Sequence, residues 1–304
     1  MTVIEVDGLH KRYGNVLAVD DVSFRVEAGE IFGILGPNGA GKTTTVECLQ
    51  GLRRPDAGRL RVLGLDPTTH QHEVRRRIGS QLQDSALPDR LKVWEALDLF
   101  SSISRRGPAW RDLLATWDLD GVADRSFASL SGGQRQRLFV ALALVNDPEV
   151  VFLDELTQGL DPGARRMAWD LIREIRDRGV TVVLVTHYMD EVEALCDRVA
   201  VIDHGRVRAL GTPRQLVESA HSEVTVTFTC HEDVAWLAST RFVDTVHQTD
   251  GTVVVIGPGP VVPLVAAALV ERGIVPEDMA VRRASLEDVY LDLIDRPAYS
   301  PEDR

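Results

Sequence analysis

The stretch Gly36-Pro37-Asn38-Gly39-Ala40-Gly41-Lys42-Thr43-Thr44 has the residue types that hold phosphate. Its glycines let backbone N–H groups curl around an anion with no Cβ in the way. The apolar run Ile31–Leu35 enters the stretch, and Thr43–Leu49 leaves it as a helix. The positive end of that helix's dipole adds to the amides. Lys42 can reach the β and γ phosphates of a nucleotide, and the Thr43 hydroxyl can hold Mg²⁺. A glycine turn before a chance lysine is the plain alternative. Strand, loop and helix in this order speak against it.

Triphosphate chemistry needs more than a loop. It needs a carboxylate for a metal, a group that activates water, and a contact for the terminal phosphate. Val150-Val151-Phe152-Leu153-Asp154-Glu155 offers the first two. Its four apolar residues mark a buried parallel strand. The two carboxylates then fall at the sheet edge where α/β proteins bind ligands. Asp154 can hold Mg²⁺ through water, and Glu155 can take a proton from an attacking water. Without the loop, the same run would read as a strand ending in solvated acids. Leu130-Ser131-Gly132-Gly133-Gln134 precedes a helical run, Arg135–Val145. Ser131 is a natural N-cap. The glycines bare backbone N–H groups at a helix start, which makes a second anion site; the plain reading is a flexible turn.

These residues need a scaffold. Strands are expected at 3–6, 16–26, 31–35, 59–63, 78–82, 150–154, 180–186, 197–203 and 207–210, and helices at 43–49, 70–77, 163–178 and 189–194. Such alternation implies an α/β fold, a mostly parallel sheet with helices on both faces. Residues of about 84–145 carry helical spacing instead, at 91–103 and 108–119. Trp94, Trp110 and Trp117 lie there and are expected to pack a small helical core. This stretch reads as a helical subdomain inserted between strands. The first domain is expected to span 1–218. Residues 219–295 read as a small α+β domain, with strands 223–229, 243–248 and 253–256, an Asp250-Gly251 hairpin turn, helix 261–272, strand 279–283 and helix 286–294. Residues 296–304 read as a frayed tail.

A chain of 304 residues with 44% hydrophobic and 26% charged content fits a soluble globular protein. Net charge of −12 disfavours generic binding to nucleic acid or to an anionic membrane surface, so no nucleic acid partner is expected. Cys48, Cys196 and Cys230 show neither metal spacing nor a disulfide framework, which suits a reducing cytosol. Residues 1–14 have no apolar core of a signal peptide. The longest apolar runs, Leu138–Val145 and Val261–Val270, fall far short of a membrane span. Work at a membrane therefore requires a separate membrane partner.

Taken together, these motifs resemble the nucleotide-binding subunits of the ATP-binding cassette (ABC) transporters. Leu130–Gln134 matches that family's signature without a substitution, and the motif order is kept over roughly residues 1–218. The resemblance implies a P-loop NTPase core, with ATP and Mg²⁺ as ligands. It implies that Tyr13, in Lys11-Arg12-Tyr13-Gly14, stacks on adenine; its plain reading is an edge-of-sheet tyrosine. Gln83 would touch Mg²⁺ and the attacking water and sense the membrane partner, with Gln81 a nearby competitor. Asp161 would communicate across a dimer, and His187 would contact the γ phosphate. Ser131, Gly132, Gly133 and Gln134 would close on ATP held by the phosphate loop of a second copy in a head-to-tail homodimer. One departure stands out: Leu156 follows Glu155 where the family usually has proline. Ala284–Leu291 resembles the tail of subunits that serve drug and antibiotic exporters.

The expected function is therefore ATP hydrolysis that powers export through a separate permease at the cytoplasmic face of the membrane. A soluble cassette ATPase of DNA repair or of ribosomes is the runner-up. Those carry two cassettes or a long coiled-coil insertion, and residues 83–130 have room for neither. A nucleotide-gated module without turnover is opposed by Glu155 and His187. A GTPase is opposed by the absence of an Asn-Lys-x-Asp motif.

Overall fold

The computed structural model describes residues 1–81, 86–104, 107–220 and 223–295. Two compact units divide the chain, Met1–Pro213 and Arg214–Arg304. In chain order the first holds β1 (Thr2–Tyr13), β2 (Val16–Glu27), β3 (Ile31–Leu35), α1 (Lys42–Leu49), β4 (Ala57–Val62), α2 (Gln71–Arg77), β5 (Ile78–Gln81), α3 (Val93–Ser104), α4 (Trp110–Thr116) and α5 (Gly132–Ala143). It continues with β6 (Val150–Asp154), α6 (Pro162–Asp177), β7 (Thr181–Thr186), α7 (Met189–Leu195), β8 (Arg198–Asp203) and β9 (Arg206–Gly211).

The central sheet runs β5-β6-β7-β3-β8-β9. All neighbours are parallel except β9, which returns antiparallel along β8. Every residue of β3, β6 and β7 is buried. That explains why these strands are continuous apolar runs, not alternating ones: both faces are covered, but not by helices alone, since β1, β2, β4 and α1 pack on one face and helices such as α6 and α7 lie against the sheet as well. The register aligns Leu35 with Thr186 and Asp154 with Val185. The three strands therefore end together, and the chain segments that leave them meet at one edge.

A separate antiparallel sheet, β2-β1-β4, lies in the same unit. The sequence suggests a strand of only 3–6 at the start, whereas β1 continues to Tyr13. Gly8, at φ 60°, does not stop the strand; it marks a bulge, with a register shift between Val6 and Leu9. Gly8 N–H donates to Ser23 Oγ at 2.9 Å, so the bulge keeps its hydrogen bond. The helical stretch forms α3, α4 and α5 as expected, but its tryptophans differ. Trp117 is buried beside Leu113, Leu114 and Leu119, while Trp94 and Trp110 face each other at 5.9 Å and stay half-exposed.

The second unit carries α8 (Pro213–Ala220, starting at the boundary), β10 (Glu223–Thr229), β11 (Thr245–Thr249), β12 (Thr252–Pro258), α9 (Val261–Glu271), β13 (Ala280–Arg283) and α10 (Leu286–Asp295). Its antiparallel sheet has the order β11-β12-β10-β13. Asp250 and Gly251 both have positive φ and join paired Thr249 and Thr252, the geometry of a two-residue hairpin turn. One face of β10 and β12 packs Val224, Val226, Phe228, Val253 and Val255 with Val261, Val265 and Leu269 of α9. Helix α8 was not expected. Pro213 at its first position supplies the fixed φ that a helix start tolerates.

Candidate active site

The phosphate loop spans the gap between β3 and α1, and backbone contacts hold it. Gly41 is the N-cap of α1 at φ 98°, and a Cβ there would meet Ala18 O at 2.2 Å. Gly205 N–H donates to Ala40 O at 3.0 Å, and Thr45 Oγ1 donates to Gly41 O at 2.9 Å. Lys42 is buried and curls back over the loop, its Nζ donating to Gly36 O at 2.7 Å and Pro37 O at 3.0 Å. Burial lowers the Lys42 pKa, opposed by the charges of Glu155 and Asp154.

Asp154 ends β6 directly beside this loop. Thr43 Oγ1 donates to its Oδ2 at 3.3 Å, while Oδ1 is buried with no hydrogen-bond partner among the described residues. Burial, and then the neighbouring Glu155 charge, push the Asp154 carboxyl up to about 6; the Thr43 bond and Lys42 pull the other way. An orphaned buried carboxylate oxygen next to a threonine hydroxyl fits a cation. No cluster of three or more His, Cys, Asp or Glu ligands exists among the described residues. That donor set suits Mg²⁺, which takes one or two protein oxygens and completes its shell with water and substrate phosphate.

Glu155 follows at φ 50°, its N–H still bonded to Val185 O at 2.9 Å. Its side chain is 5% exposed, and His187 Nδ1 lies 3.1 Å from Oε1. His187 leaves β7 one residue after Thr186 and stacks against Tyr188 at 4.1 Å, tilted by 38°. Arg165 lies over the Tyr188 ring at 4.6 Å and pairs with Asp190 at 2.9 Å. The histidine is thus braced from behind.

The structure brings together Gly36–Thr44, Asp154, Glu155 and His187. No hydrogen bond, ion pair or ring contact joins Tyr13, Ser131–Gln134 or Asp161 to this group among the described residues. Tyr13 ends β1, 40% exposed, with Lys11 Nζ 5.5 Å from its ring; Asp56 ties the hairpin by accepting from Lys11 Nζ at 3.0 Å and Arg12 N at 2.7 Å. Ser131 caps α5 in a reciprocal box: its Oγ accepts from Gln134 N, and Gln134 Oε1 accepts from Ser131 N. Gly132 and Gly133 follow in the first turn. Asp161 caps α6, Oδ1 accepting from Gly163 N at 2.9 Å and Ala164 N at 3.0 Å. Among the described residues, no hydrogen bond joins Ser131–Gln134 or Asp161 to the phosphate loop. Gln83 lies outside the described residues. Two buried polar residues beside the site escaped the sequence reading: Gln136, whose Nε2 donates to Leu156 O, and Glu191 of α7.

A glycine loop between β3 and α1, a buried carboxylate beside its threonine, a second carboxylate on a histidine and a serine-capped Gly-Gly helix start together define a class. The chain belongs to the ATP-binding subunits of ABC transporters, which bind and hydrolyse ATP and work with membrane permease components. The ABC transporter family model matches residues 19–158. The daunorubicin resistance ATP-binding protein DrrA3 of Streptomyces coeruleorubidus is 41% identical over 96% of this chain and 96% of its own. The Nod factor export ATP-binding protein I of Ralstonia nicotianae is 44% identical over 71% of this chain and 68% of its own. Among solved structures, cbiO1 from Clostridium perfringens, part of the ABC transporter complex cbiONQ, superposes with a TM-score of 0.65 at 28% identity, covering 71% of this chain and 91% of that one.

Proposed function

We propose that this ATPase powers export of a drug-, antibiotic- or lipid-like compound through a separate permease, docked at the cytoplasmic face of the membrane. The name of the Nod factor export ATP-binding protein, which aligns over 71% of this chain, supports the export direction, and the daunorubicin resistance protein, which aligns over 96%, supports a drug-like cargo. No helix among the described residues is long and apolar enough to cross a membrane. In this reading the permease supplies the path.

The observation that carries the catalytic reading is the Glu155–His187 contact of 3.1 Å beside the Thr43–Asp154 contact of 3.3 Å. Lys42 and the loop amides bind the phosphates of ATP. Thr43 and Asp154 would hold Mg²⁺, which when bound neutralises charge on the β and γ phosphates. Glu155 takes the proton of the attacking water, and a positioned general base contributes roughly 10²- to 10⁴-fold. His187 orients Glu155 and contacts the γ phosphate, while Tyr13 stacks on adenine. Ser131, Gly132, Gly133 and Gln134 of a second copy complete the site, because one chain carries two anion-binding helix starts and a two-fold pair can join them. Asp161 lies at that junction.

The test is Glu155→Gln. It should bind ATP and form a nucleotide-dependent dimer, while the hydrolysis rate falls by about 10²-fold or more. Parental turnover in that variant would remove Glu155 as the base; a monomer at saturating ATP would remove the paired site.

A further inference from the structure

Glu155 sits in a backbone conformation that needs support. A non-glycine residue at φ 50° crowds its Cβ against the following carbonyl. Such residues persist where neighbouring structure over-determines them. On its amino side Glu155 is fixed by the sheet, through Val185 O. On its carboxyl side the next two residues are buried, Leu156 at 5% exposure and Thr157 at 0%. No helix or strand continues there; the turn has the backbone bonds Gln158 N–H to Glu155 O at 3.1 Å and Leu160 N–H to Thr157 O at 3.3 Å, and buried side chains add to them.

Two buried side chains reach this turn from other elements. Gln136 of α5 donates from Nε2 to the Leu156 carbonyl. Glu191 of α7, with no exposed surface, has its carboxylate faced by the hydroxyls of Thr186 and Thr157 and the indole of Trp169. Thr186 Oγ1 already accepts from Tyr188 N at 3.0 Å, which leaves its proton for the carboxylate. Both Glu191 oxygens, Thr157 Oγ1 and Trp169 Nε1 are buried and meet no partner at hydrogen-bond geometry among the described residues. They face one another as polar groups enclosed together beside the turn. The charged group acting on Glu191 is another carboxylate, Asp190. A buried carboxylate without a cation is a costly way to fill space. The polar groups that face it, however, all come from segments that carry the site: Thr186 precedes His187, Thr157 follows Glu155 by two residues, and Trp169 lies on the helix capped by Asp161.

We propose that Gln136 and Glu191 are positioning residues for ATP hydrolysis: together they hold the Leu156–Thr157 peptide so that Glu155 keeps its left-handed backbone and its carboxylate stays on His187. The inference rests on Glu155 being the base. It also gives α5, the helix capped by Ser131, a direct bond to the catalytic turn within one chain.

The full-length chain tests this with three variants. Gln136→Met keeps length and volume but loses the donor. Glu191→Leu removes the acceptor, and Glu191→Gln keeps one acceptor oxygen. Crystal structures should show Glu155 leaving positive φ, or parting from His187, in Gln136→Met and Glu191→Leu. Their kcat should fall roughly 10- to 100-fold, the scale of an ångström-sized misplacement, while KM for ATP stays within about twofold. Glu191→Gln should recover most of the loss. Should Glu191→Leu fail to fold, Gln136→Met carries the same readouts. A folded Gln136→Met or Glu191→Leu that keeps the Glu155 conformation, the His187 contact and parental kcat would overturn the proposal. So would a loss of kcat that merely tracks a fall in melting temperature and ATP affinity. Parental turnover in Glu155→Gln would instead sink the base assignment, and the variant structures would still decide whether the turn is held.

Discussion

Replacing Gly36 by alanine probes the phosphate loop at its tightest point. A Cβ there would lie 2.1 Å from the Ile202 carbonyl oxygen and 3.3 Å from Ala40 Cβ. Gly36 has no positive φ, so the cost is contact alone. Ile202 is buried in β8, whose preceding residue Val201 pairs with Leu35, so its carbonyl is anchored in the ladder beside the loop. An ordinary carbon–oxygen contact is roughly 3.3 Å, so the loop must shift by about 1 Å. Overpacking of this kind costs about 1–3 kcal/mol. At about 2 kcal/mol, the melting temperature should drop by roughly 4–8 °C for a unit of this size. If the strain falls on the nucleotide-binding conformation, ATP affinity drops by about 30-fold. Gly39→Ala is the control: φ is 82°, yet nothing lies within 4 Å of its Cβ. That variant carries only the backbone penalty of about 1–2 kcal/mol and leaves the loop path open. Calorimetric ATP titration and thermal melts decide. Parental affinity in Gly36→Ala, or a milder effect there than in Gly39→Ala, would refute the reasoning.

Three further outcomes are expected. Asp161→Ala removes both cap bonds of α6 and should cost about 1 kcal/mol in denaturant unfolding; Asp161→Asn should restore it, and an unchanged Ala variant would show that α6 needs no cap. Deleting residues 214–304 should leave ATP affinity intact, because every described site residue lies in Met1–Pro213; a folded truncation that cannot bind ATP would contradict this division. Burial holds the Glu191 carboxyl above its ordinary value of 4.5, with Asp190 adding and the Thr186, Thr157 and Trp169 bonds opposing; the Cys196 thiol lies in the same field. The folded state therefore prefers the protonated form. The stability this group contributes is whole below its ordinary pKa and is lost as pH rises through the raised folded value. Glu191→Gln does not titrate, so its melting temperature relative to the parent should climb as pH rises above the ordinary glutamate value of 4.5; a flat difference would defeat the argument.

Much of the site was legible because its signals are local. A glycine loop between an apolar run and a helix needs no tertiary knowledge to be read, and neither do acids that end a buried strand. His187 became meaningful only through motif order, yet its place after Val182–Thr186 was readable as the end of a parallel strand. The parallel sheet followed from alternation, and the Asp250-Gly251 hairpin from its dipeptide. The long β1 was missed because Gly8 resembles a stop until its partner Ser23 is known. The site's left-handed Glu155 has no sequence signature at all, since glutamate carries no preference for positive φ.

Gln136 and Glu191 failed for a different reason, and the failure is instructive. Gln136 sits in the polar run Gln134-Arg135-Gln136-Arg137, which reads as a solvated helix face. Glu191 sits in Met189-Asp190-Glu191, where an acid at a helix start reads as a dipole partner. Helical phase, however, separates these residues from their neighbours. Val192 and Leu195 fix the buried side of α7, and Glu191 stands four residues before Leu195, on that side. In α5, Val140 and Ala143 are buried, and Gln136 stands four residues before Val140. A polar residue in phase with an apolar stripe must find hydrogen-bond partners inside the protein, because an unmet buried group costs about 1–3 kcal/mol. Gln136 finds its partner in the carbonyl of Leu156, the residue after Glu155, and Glu191 lies with Thr157, Thr186 and Trp169 about it. The polarity that seemed to place Gln136 in solvent is what bonds α5 to the turn after Glu155, and on the proposed reading Glu191 does the same from α7.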